Sequence, residues 1–306
     1  MSESEVPETP PDPSQSAPPP SQAPAAQQPV PSAEIKDDNQ LRGAEFKKIM
    51  RKPLTWILIV VLAVVIGGAI AAAGFAFFGG IAFLATFLLG ILVCFFMADS
   101  RAENAFFDAY AKSRGLTRGG SLPGTTNLLR QGDERQTDQF MFGQLSNDCA
   151  GAIALYTYTE VSTDSDGNRQ ETDYPFTVLY AEMPETLKYT QELRVERKSG
   201  FKALEGFEDK FRSSERVTLE SEAMRDRYEI FVGKEQDPVW VRRFFSPSFI
   251  VWLTDAPPKH FFFELQGGSL CCAIPKHRKS ADALDEMRDV SLKVVARINE
   301  ELTESR

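Results

Sequence analysis

The stretch from Leu54 to Met97 runs for 44 residues without one Asp, Glu, Lys, Arg or His. As a single α-helix it would measure roughly 66 Å, about twice the ~30 Å hydrocarbon core of a bilayer, so one crossing is excluded. A break at Ala73 to Ala76 leaves Leu54 to Ala72 and Phe77 to Met97, segments of 19 and 21 residues, each close to a spanning length. The expectation is a transmembrane helical hairpin within residues 46–98. Glycines 67, 68, 74, 79 and 80 flank the break, where small residues allow a reversal and close helix packing. Gly68-x-x-x-Ala72 and Ala76-x-x-x-Gly80 fit packing inside the hairpin, and would equally serve a homo-oligomer. With no charge inside the spans there is no proton relay or ion path to read, and the hairpin is expected to be an anchor.

Flanking charge sets the orientation. Lys47, Lys48, Arg51 and Lys52 precede the first span, Arg101, Lys112, Arg114 and Arg118 follow the second, and the turn is uncharged. The positive-inside rule then puts both termini in the cytoplasm, with the protein a multi-pass component of the plasma membrane. The run starts too deep in the chain for a cleavable signal peptide. Residues 1–45 form a Pro-rich arm: residues 1–32 hold ten of the nineteen prolines, and such a composition cannot bury enough apolar surface to offset its ordering entropy.

Residues 99–140 are expected to be a juxtamembrane helix and linker. Ala102, Phe106, Phe107 and Tyr110 share a helical face that ends at Gly115, and "LTRGGSLPGTTN" reads as a connector. Residues 141–306 carry the signals of a cytosolic α+β domain with an antiparallel sheet. "AGAIALYTYTEV" and "YPFTVLYAEMP" make a hairpin around the acidic turn "STDSDGNRQETD". Asp164, Asp166 and Asn168 alternate as in a calcium loop, but Gly167 comes too early and Pro175 stands where the bidentate Glu belongs, so the pattern fails. Strands are expected at Arg216 to Glu220 and Tyr228 to Val232, helices at Val239 to Phe245 and from Ser246-Pro247 to Leu253, and a tight hairpin across "QGGS". A last helix capped by Ser280 carries the stripe Leu284, Met287, Val295, Ile298 and Leu302, which would cover the sheet.

"LES" at 219–221, "YEIFV" at 228–232, "FFSPSFIVWL" at 244–253 and the "FFFEL…GGSL" hairpin resemble the soluble domain of a family of bacterial membrane proteins in which a two-helix anchor precedes a cytosolic domain of unknown function. The resemblance covers about a quarter of the chain plus its layout. It implies the architecture and a bacterial origin, and it brings no activity or catalytic residue.

Signatures of chemistry are scarce. The hydrolase elbow, the phosphate loop, the zinc-protease helix and the dinucleotide turn are missing, and the only histidines are His260 and His277. No catalytic, cofactor or metal site is read; an enzyme of unfamiliar type would have to use His260, His277 or Cys271. A formal charge of -9 with interleaved signs argues against nucleic acid as a partner. The four cysteines, 94, 149, 271 and 272, are read as structural thiols, since the adjacent pair would point to opposite faces of a strand. Two basic clusters remain, Arg242 with Arg243, and Lys276, Arg278 and Lys279, as candidate contacts with membrane lipids. The expected role is a membrane-anchored, non-enzymatic protein whose domain binds a protein partner or the inner leaflet. The aromatic group Trp240, Phe244, Phe245, Phe249, Trp252 and Phe261 to Phe263 reads as core, since such density at helical and strand spacing fills the interior of a small α+β domain. The alternative role is a lipid or small-ligand sensor, in which the sheet and its covering helix would enclose a small apolar pocket lined by that group.

Overall fold

The computed structural model describes residues 46–48, 50–198 and 214–304; the Pro-rich arm of residues 1–45 lies outside them. The apolar run folds as two helices, α1 (Pro53–Ala72) and α2 (Ala76–Ser113), joined by a three-residue turn at the expected break. Gly74 takes φ +93°, a left-handed conformation that glycine adopts without strain. Leu54, Leu58, Phe77 and Phe96 are exposed around the hairpin, as lipid-facing residues must be, whereas Ile59, Ala63, Gly67, Gly79 and Cys94 are buried along its seam. A Cβ on Gly67 would lie 2.8 Å from the Gly79 carbonyl oxygen, and one on Gly79 would lie 2.7 Å from that of Gly67. The seam therefore uses Gly67 and Gly79. Gly68 and Gly80, read from the sequence as hairpin packing residues, point into open space, because each lies one position off that seam.

The protein is α+β. Among the described residues nine strands form one antiparallel sheet: β1 (Thr117–Arg118), β2 (Glu134–Ser146), β3 (Cys149–Thr163), β4 (Arg169–Glu182), β5 (Glu192–Arg197), β6 (Ser214–Val217), β7 (Tyr228–Gly233), β8 (Phe262–Gln266) and β9 (Ser269–Pro275). Their spatial order is β1-β2-β3-β4-β9-β8-β5-β7-β6. The sheet thus begins at Thr117, well before the expected domain boundary at 141, which cuts through β2.

Strand alternation divides the side chains between two faces. Ile153, Leu155, Leu179, Val195, Ile230, Phe263 and Cys272 face the helices: the end of α2, α3 (Glu222–Arg227), α4 (Pro238–Phe244), α5 (Pro247–Asp255) and α6 (Ala281–Glu304). The stripe of α6 packs on β2, β3, β4 and β9, as its periodicity predicts. Tyr156, Tyr158, Phe176, Phe262 and Cys271 face the other way, where Leu122, Leu128 and Leu129 of the connector cover them. The adjacent cysteines do point to opposite faces. Asp237 and Ser246 cap α4 and α5, each accepting a backbone N–H, with proline at the first helical position.

Candidate functional site

The joint between anchor and domain is a single unbroken helix. Beyond Met97, α2 continues for roughly 24 Å to Ser113, and there Phe106, Phe107 and Tyr110 are buried in the core. A polar latch locks its end to α6. The Tyr110 hydroxyl and Arg114 Nε each donate to Asp285 Oδ1 at 3.0 Å, Arg114 Nη2 pairs with Oδ2, and Arg288 approaches at 3.2 Å. Burial alone would push the Asp285 carboxyl up, but the hydrogen bonds from Arg114 and Tyr110 and the charges of Arg288 and Arg114 outweigh it and hold the carboxyl below its ordinary range. Lower on α2, Arg118 of β1 donates to the Asn104 carbonyl and side chain and pairs with Asp108 at 2.6 Å.

The two basic clusters are not brought together. Lys276, Arg278 and Lys279 sit in the loop from β9 to α6, where Lys279 pairs with Glu103 of α2 at 3.1 Å. His277 belongs to the same loop; its Nε2 lies 3.2 Å from Thr157 Oγ1 and 3.4 Å from Asp138 Oδ2, tying the loop to β2 and β3. Arg242 and Arg243 end α4 beside the far end of α6, about 30 Å along that helix from its start. Arg243 pairs with buried Glu301 at 2.7 Å, and Arg297 donates to the carbonyls of Arg243 and Phe244. Arg243 thus holds α4 against α6. Arg242 is exposed and lines a groove.

That groove, about 890 Å³, runs between β6, β7, α4 and α5. Val217, Leu219, Val241, Phe245 and Ile250 give it an apolar floor, and Glu215, Glu220 and Arg242 give it a rim of both signs. Val251 stands at its lip, 61 % exposed. A second cavity, about 710 Å³, lies between the 119–121 segment and β2 to β4, lined by Phe140, Phe142, Cys149 and Met183 among others. The aromatic group is packed core, as its density at helical and strand spacing implies: Trp240, Phe244, Phe249, Phe261 and Phe263 are buried, with the Phe244 ring 5.3 Å from those of Trp240 and Phe249. Aromatic density at helical and strand spacing fills this interior instead of enclosing a cavity.

The enzyme candidates are dispersed. Cys271 and Cys272 are fully buried, and burial pushes both thiols up, away from the nucleophilic thiolate. His260 lies in the α5–β8 loop with φ 68°. Among the described residues no group of three or more His, Cys, Asp or Glu is placed to hold a metal ion.

A buried charged group on the connector face was missed by sequence reasoning. Glu264 of β8 accepts the Leu128 N–H at 2.8 Å, Arg194 of β5 pairs with Glu196 at 3.0 Å, and the Arg194 guanidinium lies 4.4 Å from the Phe231 ring centre. Burial pushes the Glu264 carboxyl up against the opposing pull of Leu128 N–H and Arg194. The signal was there: Glu264 shares the phase of Phe262 in "FFEL", which puts a carboxyl at a core position.

No family model matches the chain, and no curated protein does. Among solved structures, the mycobacterial trehalose monomycolate transport factor A, TtfA, is similar at 14% identity with a TM-score of 0.42, over 66% of this chain and 95% of that one. At that level no functional residue carries across.

Proposed function

We propose that this is a non-enzymatic, membrane-anchored adaptor whose α+β domain stands in the cytoplasm and binds a protein partner beside the inner leaflet. The observation that carries the reading is the continuity of α2: one helix is both the second span and part of the domain core, so the domain is held at a fixed height and heading. Basic residues on both outer flanks of the hairpin support a cytoplasmic location for both termini. For the partner, the groove beside α4 and α5 is the best-formed candidate surface, since an apolar floor with a mixed-charge rim suits a peptide segment better than a uniformly apolar acyl chain. A ligand-sensing role would use the cavity beside Cys149 instead.

All four native cysteines are buried, so an introduced one can be labelled selectively. In intact cells an impermeant thiol reagent should label a cysteine at Gly74 and spare one at Lys188; labelling at Lys188 would reverse the orientation. A photo-crosslinker at Val251 in native membranes should give a discrete protein adduct that weakens with Arg242→Glu. Adducts with lipid alone would remove the partner reading.

A further inference from the structure

Sheet register places a row of cations at one end of the strands. Phe176 pairs with Pro275, Phe262 with Ala273, Val195 with Phe263 and Arg197 with Tyr228. Carried one to three residues beyond those rungs, the same strand ends hold Lys276, Lys259 with His260, Lys198, and Arg227. The Lys198 N–H donates to the Arg227 carbonyl at 2.7 Å, extending the ladder, and Arg197 Nη1 donates to the Pro258 carbonyl at 3.3 Å. Lys198, Arg227, Lys259 and Lys276 are exposed. His260 reports the crowding: burial, and then the charges of Lys259, Arg197 and Lys276, hold its imidazole below the ordinary histidine range.

This end of the sheet is also the one fixed to α2 as it leaves the bilayer. Lys279 on Glu103 ties the loop that carries Lys276 to a point about 9 Å along the helix from Met97, and His277 beside Asp138 holds the same loop against β2. The headgroup zone occupies roughly 5–8 Å on each side of the hydrocarbon, so long cationic side chains on this row reach it. The opposite strand ends carry Asp148, Glu182, Glu185, Glu215, Glu235 and Asp237 against Lys188 and Lys234. The acids at this end are Asp255, which pairs with Arg227 at 3.1 Å, Asp226, the tie points Glu103 and Asp138, and, at the start of β2 and along the β3–β4 hairpin, Asp133, Glu134, Glu160, Glu171 and Asp173 beside Arg135 and Arg169. The β3–β4 hairpin passes the same row by about 20 Å with Asp164 and Asp166 at its tip, so against an anionic surface it must lie along the leaflet and not enter it.

We propose that Arg197, Lys198, Arg227, Lys259 and Lys276 form a cationic face that rests on anionic phospholipid headgroups of the membrane in which the chain is anchored. The proposal deepens the adaptor reading and depends on its anchor. It replaces the Arg242–Arg243 pair, at the other end of α6, with residues at the bilayer end.

The test uses the full chain reconstituted in vesicles, with a single cysteine at Ala256 carrying bimane and a spin-labelled phosphatidylcholine headgroup as quencher. Quenching should be stronger with about 30 % phosphatidylglycerol than in pure phosphatidylcholine, each neutralised charge lowering the contacting population about fivefold and each reversed charge by more. It should fall at about 0.5 M salt, where the Debye length is roughly 4 Å. Lys198→Glu/Lys259→Glu/Lys276→Glu should abolish the lipid dependence, and a control probe at Lys234 should show none. Quenching indifferent to lipid charge, or unchanged in the triple variant, would overturn the proposal and leave the face to an acidic protein. If the variant misfolds, the salt and lipid dependence of the wild-type chain still decides. Alkaline extraction of the same vesicles reports the anchor separately: release of the protein would overturn the anchor and this proposal together, whereas a retained protein with charge-blind quenching overturns this one alone.

Discussion

The two faces of the sheet are closed by different means. On one, helices α2 to α6 bring a continuous apolar interior in which the aromatic rings of α4 and α5 meet Phe261 and Phe263. On the other, an irregular connector with one short 3-10 turn, Leu128–Arg130, lies over tyrosines and phenylalanines and over a charged group. A helix satisfies its own backbone groups, so a helical cover needs only apolar surface beneath it. An irregular cover exposes N–H and C=O groups that the sheet must answer, and Glu264 answers the Leu128 N–H.

The difference can be broken from either side. The largest effect is expected on the helical face: Phe244→Ala removes a fully buried ring that meets Trp240, Phe245 and Phe249, and should cost about 3–5 kcal/mol. Denaturant unfolding of the detergent-solubilised chain followed by tryptophan fluorescence measures it; a loss below about 1 kcal/mol would mean that this interior is loosely packed. Next comes Glu264→Ala, which strands a buried N–H and should cost about 1–3 kcal/mol, with faster amide exchange at Leu128 as its local mark. Asp285→Asn weakens the latch on α2 by about 1 kcal/mol. Because the Asp285 carboxyl is held down in the folded state, its contribution is present above the unfolded carboxylate pKa and disappears as pH falls through the folded one. The wild-type chain should therefore lose stability below about pH 4 by a step that the Asn variant lacks.

The smallest change, Glu264→Gln, is the most telling in sign. The amide keeps an acceptor for Leu128 and removes the charge. The folded Glu264 pKa is raised, so wild-type stability is full below the unfolded pKa and declines as pH rises toward the folded one. The Gln variant should gain on wild type as pH increases from about 4 to 7 in thermal melts, and a variant that falls behind would show that the ionised carboxylate is the stabilising form.

Local patterns made much of this legible. The hairpin and its break follow from length against bilayer thickness, and β3, β4, β7, β8, β9, α4, α5 and α6 each carry their own periodicity, caps or turn residues. Three strands were not read, and the first, β1, is only the two residues Thr117–Arg118 inside the stretch that reads as a connector. β2 is polar in its first half, "ERQTDQ", where little is buried, and the apolar run "FMF" that follows does not alternate with polar residues; of Phe140, Met141, Phe142 and Leu145 only Met141 and Leu145 are buried. β5, "ELRVER", alternates charged with apolar residues as an exposed strand would, yet Arg194 is buried in the sheet between β8 and β7. Arg194 pairs with Glu196 of its own strand, and the Phe231 ring and the Glu264 carboxyl beside it come from strands distant in sequence, which composition cannot reveal. The separation of the two basic clusters was hidden for a related reason: Arg242 and Lys279 look equally basic in the chain, and only the run of α6 sets them apart.

A helix that passes from bilayer to protein core without a swivel acts as a lever arm. Spans tilt when hydrocarbon thickness changes, and a tilt of about 10° would carry a point 24 Å beyond Met97 sideways by roughly 4 Å. The domain must take up that displacement with the helix. Lipid composition is thereby written into the position of its surfaces, even for those that never touch a lipid.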